Sequence, residues 1–319
     1  MEKPMTVRRI IIFLVLTFVI TFAAEAIIIS NTIESSNTIE LNLLLMVVML
    51  IPAACVALTR LITKEYFRDA WILPNIKGHI KFYIIAWLLP SVLIVVGTAV
   101  YFLVFPSRFD SQMGYMTKLL ADQGIEANAE TQKSFVIISV VQSLILAPIF
   151  SIITSIGGEW GWRGYLVPKL CEKFSIIPTL LISGIIWGLW HAPLTLMGLN
   201  YGSDFAGHPY TSILAMCGFC IAFGTLLSYL SLKTRSCLPA AIAYGSLNGL
   251  ATIGFFYIPG PEAIDNFLGP APTGIIGGTG IIIAMVILAF LMVKDQRKGT
   301  LIAPPRISAS LPEKTGNKL

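Results

Sequence analysis

Along the chain, long apolar runs alternate with short polar connections, and the strict alternation of a barrel strand is absent. A helix needs about 20 mostly apolar residues to cross the hydrocarbon core of a bilayer. Eight runs approach or meet that length: 10–29, 41–58, 82–105, 135–156, 176–196, 211–230, 237–256 and 273–293. Backbone N–H and C=O groups cannot be left unpaired in lipid, so each run predicts a helix. The expected fold is an all-α integral membrane bundle of about eight transmembrane helices, with 1–319 forming a single polytopic domain.

Composition agrees with the pattern. Of 319 residues, 55% are hydrophobic and 12% charged, with a mean hydropathy of +0.79. Soluble proteins carry about 25% charged residues, and disorder needs low hydrophobicity with high charge, so both classes are excluded. The net charge of +5 is informative through its placement rather than its size. With the N-terminus inside, the inner connections and tail hold 19 of the 22 basic residues, leaving only Arg108, Lys118 and Lys133 outside. That asymmetry predicts both termini in the cytoplasm of a multi-pass cell-membrane protein. Its partners are then the lipid bilayer and a membrane-associated substrate, and nucleic acid is not expected.

Smaller features refine this. Lys3, Arg8 and Arg9 precede an apolar run that reaches Ala24-Glu25-Ala26, which resembles a signal cleavage site. The run is too long for a usual signal core, so an uncleaved first span is expected. The outer connection 106–134 is polar and mixed in charge, and an amphipathic helix is expected within it. The Gly/Pro-rich stretch 258–280 reads as an outer loop, and 294–319, with Pro304, Pro305 and Pro312, as a basic cytoplasmic tail. Cys217-Gly-Phe-Cys220 has a CxxC spacing, but no second pair stands near it, so two small residues on a helix-packing face are expected. Glu25 stands alone in the first span, where a water-accessible or partner-paired glutamate is expected.

Candidate chemistry lies in three polar pairs, each spaced i, i+4, which places both members on one helix face. The first is Glu159 and Arg163 in Gly157-Gly158-Glu159-Trp160-Gly161-Trp162-Arg163-Gly164-Tyr165-Leu166. The second is Trp187 and His191; His191 lies well inside a span, whereas His79 and His208 lie in connections. The third is Tyr244 and Asn248 in the seventh run. Considered singly, these pairs also suit an interfacial belt of Trp160, Trp162 and Tyr165 with a snorkelling Arg163, or helix-to-helix hydrogen bonds. Considered together they are expected to line one water-holding cavity between the fourth, fifth and seventh helices. A glutamate can take a proton from water, and imidazole with an amide can hold a metal or an oxyanion. That is equipment for hydrolysing an amide inside a membrane. Span counting puts His191 in the outer half and Glu159 at the inner boundary. They meet only if the fourth helix continues past Glu159 or the fifth starts late.

These elements resemble the CAAX-protease and bacteriocin-processing family of intramembrane endopeptidases, also called the Abi family. Its members show Glu-Glu-x-x-x-Arg, Phe-x-x-x-His and His-x-x-x-Asn/Asp, often with Gly-Trp-Arg-Gly-Tyr-Leu after the first motif. The resemblance covers about 135–256. It implies that Glu159, Arg163, His191 and Asn248 hold motif positions, with Trp187 replacing the phenylalanine. Gly158 stands where the family places the glutamate credited with activating water, and Tyr244 where it places the second histidine. The resemblance implies hydrolysis of a membrane-associated peptide or protein, prenylated or not, by Glu159, Arg163, His191, Tyr244 and Asn248. A divalent metal such as zinc is compatible with it, with His191 as the one strong ligand. The two departures imply the alternative of a catalytically silent member acting in membrane regulation, bacteriocin immunity or scaffolding.

Overall fold

Residues 3–32, 44–205 and 207–304 are described by the computed structural model, and their apolar runs are helical. The parts of the expected second span and tail at 41–43 and 305–319 lie outside the described residues. The helices are α1 (Lys3–Thr32), α2 (Leu44–Ile62), α3 (Ile80–Val104), α4 (Gly114–Asp122), α5 (Ala129–Phe150) and α6 (Ile152–Gly161). They continue with α7 (Val167–Cys171), α8 (Ile176–Trp190), α9 (Ala192–Leu196), α10 (Tyr210–Thr234), α11 (Leu238–Leu250) and α12 (Thr279–Arg297). Among the described residues, α1, α2, α3, α5, α10 and α12 contain the six stretches long and apolar enough to cross a bilayer.

The two remaining expected spans are shortened for identifiable reasons. The fifth stops after 15 residues at Trp190, and His191 caps it before the short α9 begins. Pro193 has no N–H with which to continue the helical ladder. The seventh is the 13-residue α11, followed by a 3₁₀ turn at Ile253–Tyr257. Most of α11 is buried at the centre of the bundle, packed against α3, α5, α6 and α10.

The fourth expected span ends too early in the sequence reading. After a break at Ser151, close to Pro148, the chain resumes as α6 and passes through a π-helical turn at Trp162–Leu166 into α7. Glu159 therefore lies inside a continuing helical run. Small residues set the closest approaches: a Cβ added to Gly188 on α8 would lie 2.5 Å from the Cys217 Cα on α10. All five cysteines are free, and Cys217 and Cys220 occupy a buried packing face.

Residues from all five basic connections meet at one end of the bundle. Glu65 takes Lys169 at 2.7 Å, Arg9 at 3.5 Å and Arg60 at 3.8 Å. The Tyr165 hydroxyl donates to it at 3.1 Å. Beside this hub, Arg235 pairs with Asp69 at 2.8 Å and Lys233 with Asp295 at 2.7 Å. At the opposite end Arg108 reaches Asp265 at 3.8 Å. There α4, the expected amphipathic helix, packs Met116 and Leu120 beneath Phe256.

The expected outer loop 258–280 does not stay outside. A Cβ on Gly97, well within α3, would lie 1.8 Å from the Gly277 carbonyl oxygen, and one on Gly280 would lie 2.2 Å from the Leu93 carbonyl oxygen. Backbone at this depth is tolerated because protein surrounds it. Glu25 also departs from expectation. It is fully buried, and neither carboxyl oxygen has a hydrogen-bond partner among the described residues.

Candidate active site

The continuation of α6 through the π turn brings the three sequence pairs to one place. Arg163 turns inward rather than snorkelling: it and Glu159 are buried, and its Nη1 donates to Glu159 Oε1 at 2.9 Å. The guanidinium carbon lies 3.8 Å from the centre of the Trp187 ring, a close cation–π contact. Gly224 on α10 makes room for it, since a Cβ there would stand 2.9 Å from Arg163 Nη2. Glu159 Oε2 has no hydrogen-bond partner among the described residues.

The tryptophans belong to this packing rather than to a headgroup belt. Trp162 and Tyr165 are buried. Trp162 meets Trp190 edge-on at 5.7 Å, and Phe13 of α1 meets Trp162 at 5.8 Å. Trp160 Nε1 donates to the Ala70 carbonyl at 2.7 Å, and Trp190 Nε1 to Thr21 Oγ1 at 2.9 Å. The motif side chains are thus moored to α1 and to the loop after α2.

His191 sits where α8 breaks, its Nδ1 2.9 Å from the Trp187 carbonyl. A carbonyl only accepts, so Nδ1 carries the proton. When the ring is neutral, Nε2 keeps the lone pair, ready to accept a proton or bind an electrophile. Trp190 holds the ring edge-on at 4.8 Å and Trp187 at 5.6 Å.

His191 opens onto a cavity of about 340 Å³ shared with Tyr244 and Asn248 of α11. Its walls include Met49 of α2, Asn200, Phe219 of α10, and Asn266 and Thr273 from the re-entrant loop. Tyr244 is half-buried, 6.0 Å ring to ring from Trp187, and Asn248 is exposed to the cavity. Glu159 and Arg163 do not line it; they stand behind Trp187. Gly158 is nearer: a Cβ there would face Met49 Cε at 3.3 Å, and Met49 itself lines the cavity.

Zinc takes three protein ligands and an open position in catalytic sites. Among the described residues no three His, Cys, Asp or Glu side chains come together as a metal cluster. His191 is the single strong ligand in the cavity, and Glu159 is committed to Arg163. These residues do not fit a three-ligand zinc site. Sequence reasoning also missed Met49, Asn200 and Asn266, because no local pattern links them to the motifs.

Comparison with known proteins follows the same core. Residues 140–250 match the family described as type II CAAX prenyl endopeptidase, Rce1-like. A CAAX prenyl protease 2 of Methanococcus maripaludis is 27% identical over 113 residues, which is 35% of this chain and 39% of that protein. The match therefore spans well under two thirds of the relative's length. Both matches bear out the resemblance read from the three motifs, and residues 140–250 include Glu159, Arg163, His191, Tyr244 and Asn248.

Proposed function

We propose that this protein, whose core from 140 to 250 matches the Rce1-like endopeptidases, is an intramembrane endopeptidase that cleaves a membrane-associated, prenylated peptide. It lies in the cell membrane with both termini cytoplasmic, an orientation supported by the gathering of the basic connections at one end. One observation carries the reading. Nδ1 of His191 is engaged by the Trp187 carbonyl, and the ring opens on a cavity that also holds Tyr244 and Asn248.

In this reading Nε2 of His191 takes a proton from water as the water oxygen adds to the scissile carbonyl carbon. The Tyr244 hydroxyl and the Asn248 amide donate to the resulting oxyanion. The proton on Nε2 then passes to the amide nitrogen as the C–N bond breaks, giving a carboxylic acid, which ionises to water, and an amine. Glu159 and Arg163 are positioning residues: the pair holds Trp187, and Trp187 holds the imidazole tautomer. A general base contributes about 10²–10⁴ in rate, so His191 accounts for much of the activity that remains without a glutamate at 158.

The test is cleavage of a fluorogenic prenylated peptide by detergent-purified protein, beside His191→Ala and the double change Gly158→Glu/Tyr244→His. Cleavage by the native chain that His191→Ala removes is the expected result. A second reading, a silent membrane regulator, is favoured by Gly158 and Tyr244 at two motif positions. Cleavage confined to the double variant would establish it.

A further inference from the structure

At the basic end of the bundle, remote from the His191 cavity, a groove of about 450 Å³ opens between α8 and α12. Its floor is apolar, formed by Ile177, Phe290 and Val293, and its rim carries Lys294, Arg297 and Lys298. The three cations are exposed, and none has an acidic partner among the described residues. The neighbouring acid, Asp295, is already taken by Lys233 at 2.7 Å. Gln296 ties the two helices together at this point, its Oε1 accepting the Ile176 backbone N–H at 3.0 Å. The positive end of the α8 dipole faces the same rim.

Below the rim, each helix turns an apolar stripe outward. On α8 the stripe is Ile177, Leu181, Ile185 and Leu189, spaced i, i+4 and all exposed; on α12, Phe290 continues into exposed Val286 and Ile283. At 1.5 Å per residue the α8 stripe rises about 18 Å, close to the roughly 15 Å of one leaflet's hydrocarbon. A cationic rim over an apolar groove that continues into exposed apolar helix surface matches a molecule with an anionic head and hydrocarbon tails.

We propose that this groove is a binding site for one anionic phospholipid, its phosphate held by Lys294, Arg297 and Lys298 and an acyl chain lying between α8 and α12. Charge complementarity selects the head. The tails distinguish it from a free-anion site, because the apolar stripes contribute nothing to an inorganic phosphate. The inference does not depend on peptidase activity. The bound lipid would clamp the start of the helix that carries Trp187 and leads into His191.

The experiment is native mass spectrometry of the full-length protein titrated with phosphatidylglycerol, phosphatidylcholine or inorganic phosphate. One tightly retained phosphatidylglycerol is expected. Its apparent Kd should rise about 10-fold or more in Lys294→Gln/Arg297→Gln/Lys298→Gln, since each cation near the surface contributes to holding anionic lipid. A control variant, Lys64→Gln/Lys77→Gln/Lys81→Gln, removes three exposed cations elsewhere at the same end and should stay within about twofold. Equal loss in both variants, equal retention of phosphatidylcholine, or displacement of the lipid by inorganic phosphate would each overturn the proposal.

Discussion

The Arg163 guanidinium lies 3.8 Å from the centre of the Trp187 ring, while the backbone carbonyl of the same Trp187 fixes the His191 ring at 2.9 Å. A buried ion pair and a cavity histidine therefore share one intermediary, and a change at Arg163 is felt at His191 without touching it.

Removing one member of that ion pair is expected to be worse than removing both. Arg163→Ala strands Glu159 in a buried site, a loss of about 3–5 kcal/mol for a broken buried pair. Replacing both, as Glu159→Gln/Arg163→Met, leaves no unpaired charge. Thermal unfolding in detergent should place the double variant above Arg163→Ala; the reverse order would show that the pair is not the stabilising unit.

Three glycines along α6 separate tolerance from strain. Gly161→Ala puts a methyl group 2.5 Å from Pro52 Cβ, and Gly157→Ala puts one 2.8 Å from the Met49 carbonyl oxygen. Each should cost about 1–3 kcal/mol, the usual range for overpacking. Gly158→Ala comes closer than ordinary van der Waals contact only to the flexible end of Met49, at 3.3 Å, and helix propensity returns up to about 1 kcal/mol. Unfolding midpoints for the three variants should rank Gly158→Ala highest.

Acid stability should report on Glu65. Burial raises its carboxyl, but Lys169, Arg60 and Arg9 outweigh burial and hold it below its ordinary value of 4.5. The folded group is thus the stronger acid, and its contribution is complete above that value. It is lost as pH falls through the lowered folded value, where protonation breaks the hub. Glu65→Gln should flatten the loss of thermal stability between about pH 5 and pH 3. An unchanged acid limb would mean that other carboxylates govern it.

Glu25→Leu is expected to raise the unfolding midpoint. The carboxyl is fully buried, with neither oxygen hydrogen-bonded among the described residues, and burying such a group without a partner costs free energy. A fall in the midpoint would reveal a stabilising partner for Glu25.

The spans were legible because mean apolarity and length are local properties, and Gly188 facing Cys217 follows the small-residue rule. The extension of the fourth helix was not. Gly157-Gly158 followed by Glu159 and Arg163 reads as a membrane boundary, yet the charges neutralise each other inside protein and the helix runs on. Nor was the re-entrant loop legible, since the contact of Gly97 with Gly277 joins backbones 180 positions apart. The motif residues could be found by spacing. Met49, Asn200 and Asn266 reach the cavity only through tertiary packing, which leaves no trace in local sequence.

The inward face of α1 carries buried Thr17, Thr21 and Glu25 in a line, and its mooring points are distant: Thr21 receives Trp190 across 169 positions, and Thr6 donates to Glu172 across 166. A chain made from its N-terminus delivers this helix first and its partners much later. During synthesis the polar line has no protein to cover it until α6, α7 and α8 have emerged. Assembly of the core around His191 is therefore tied to the moment when Trp190 arrives to bond Thr21.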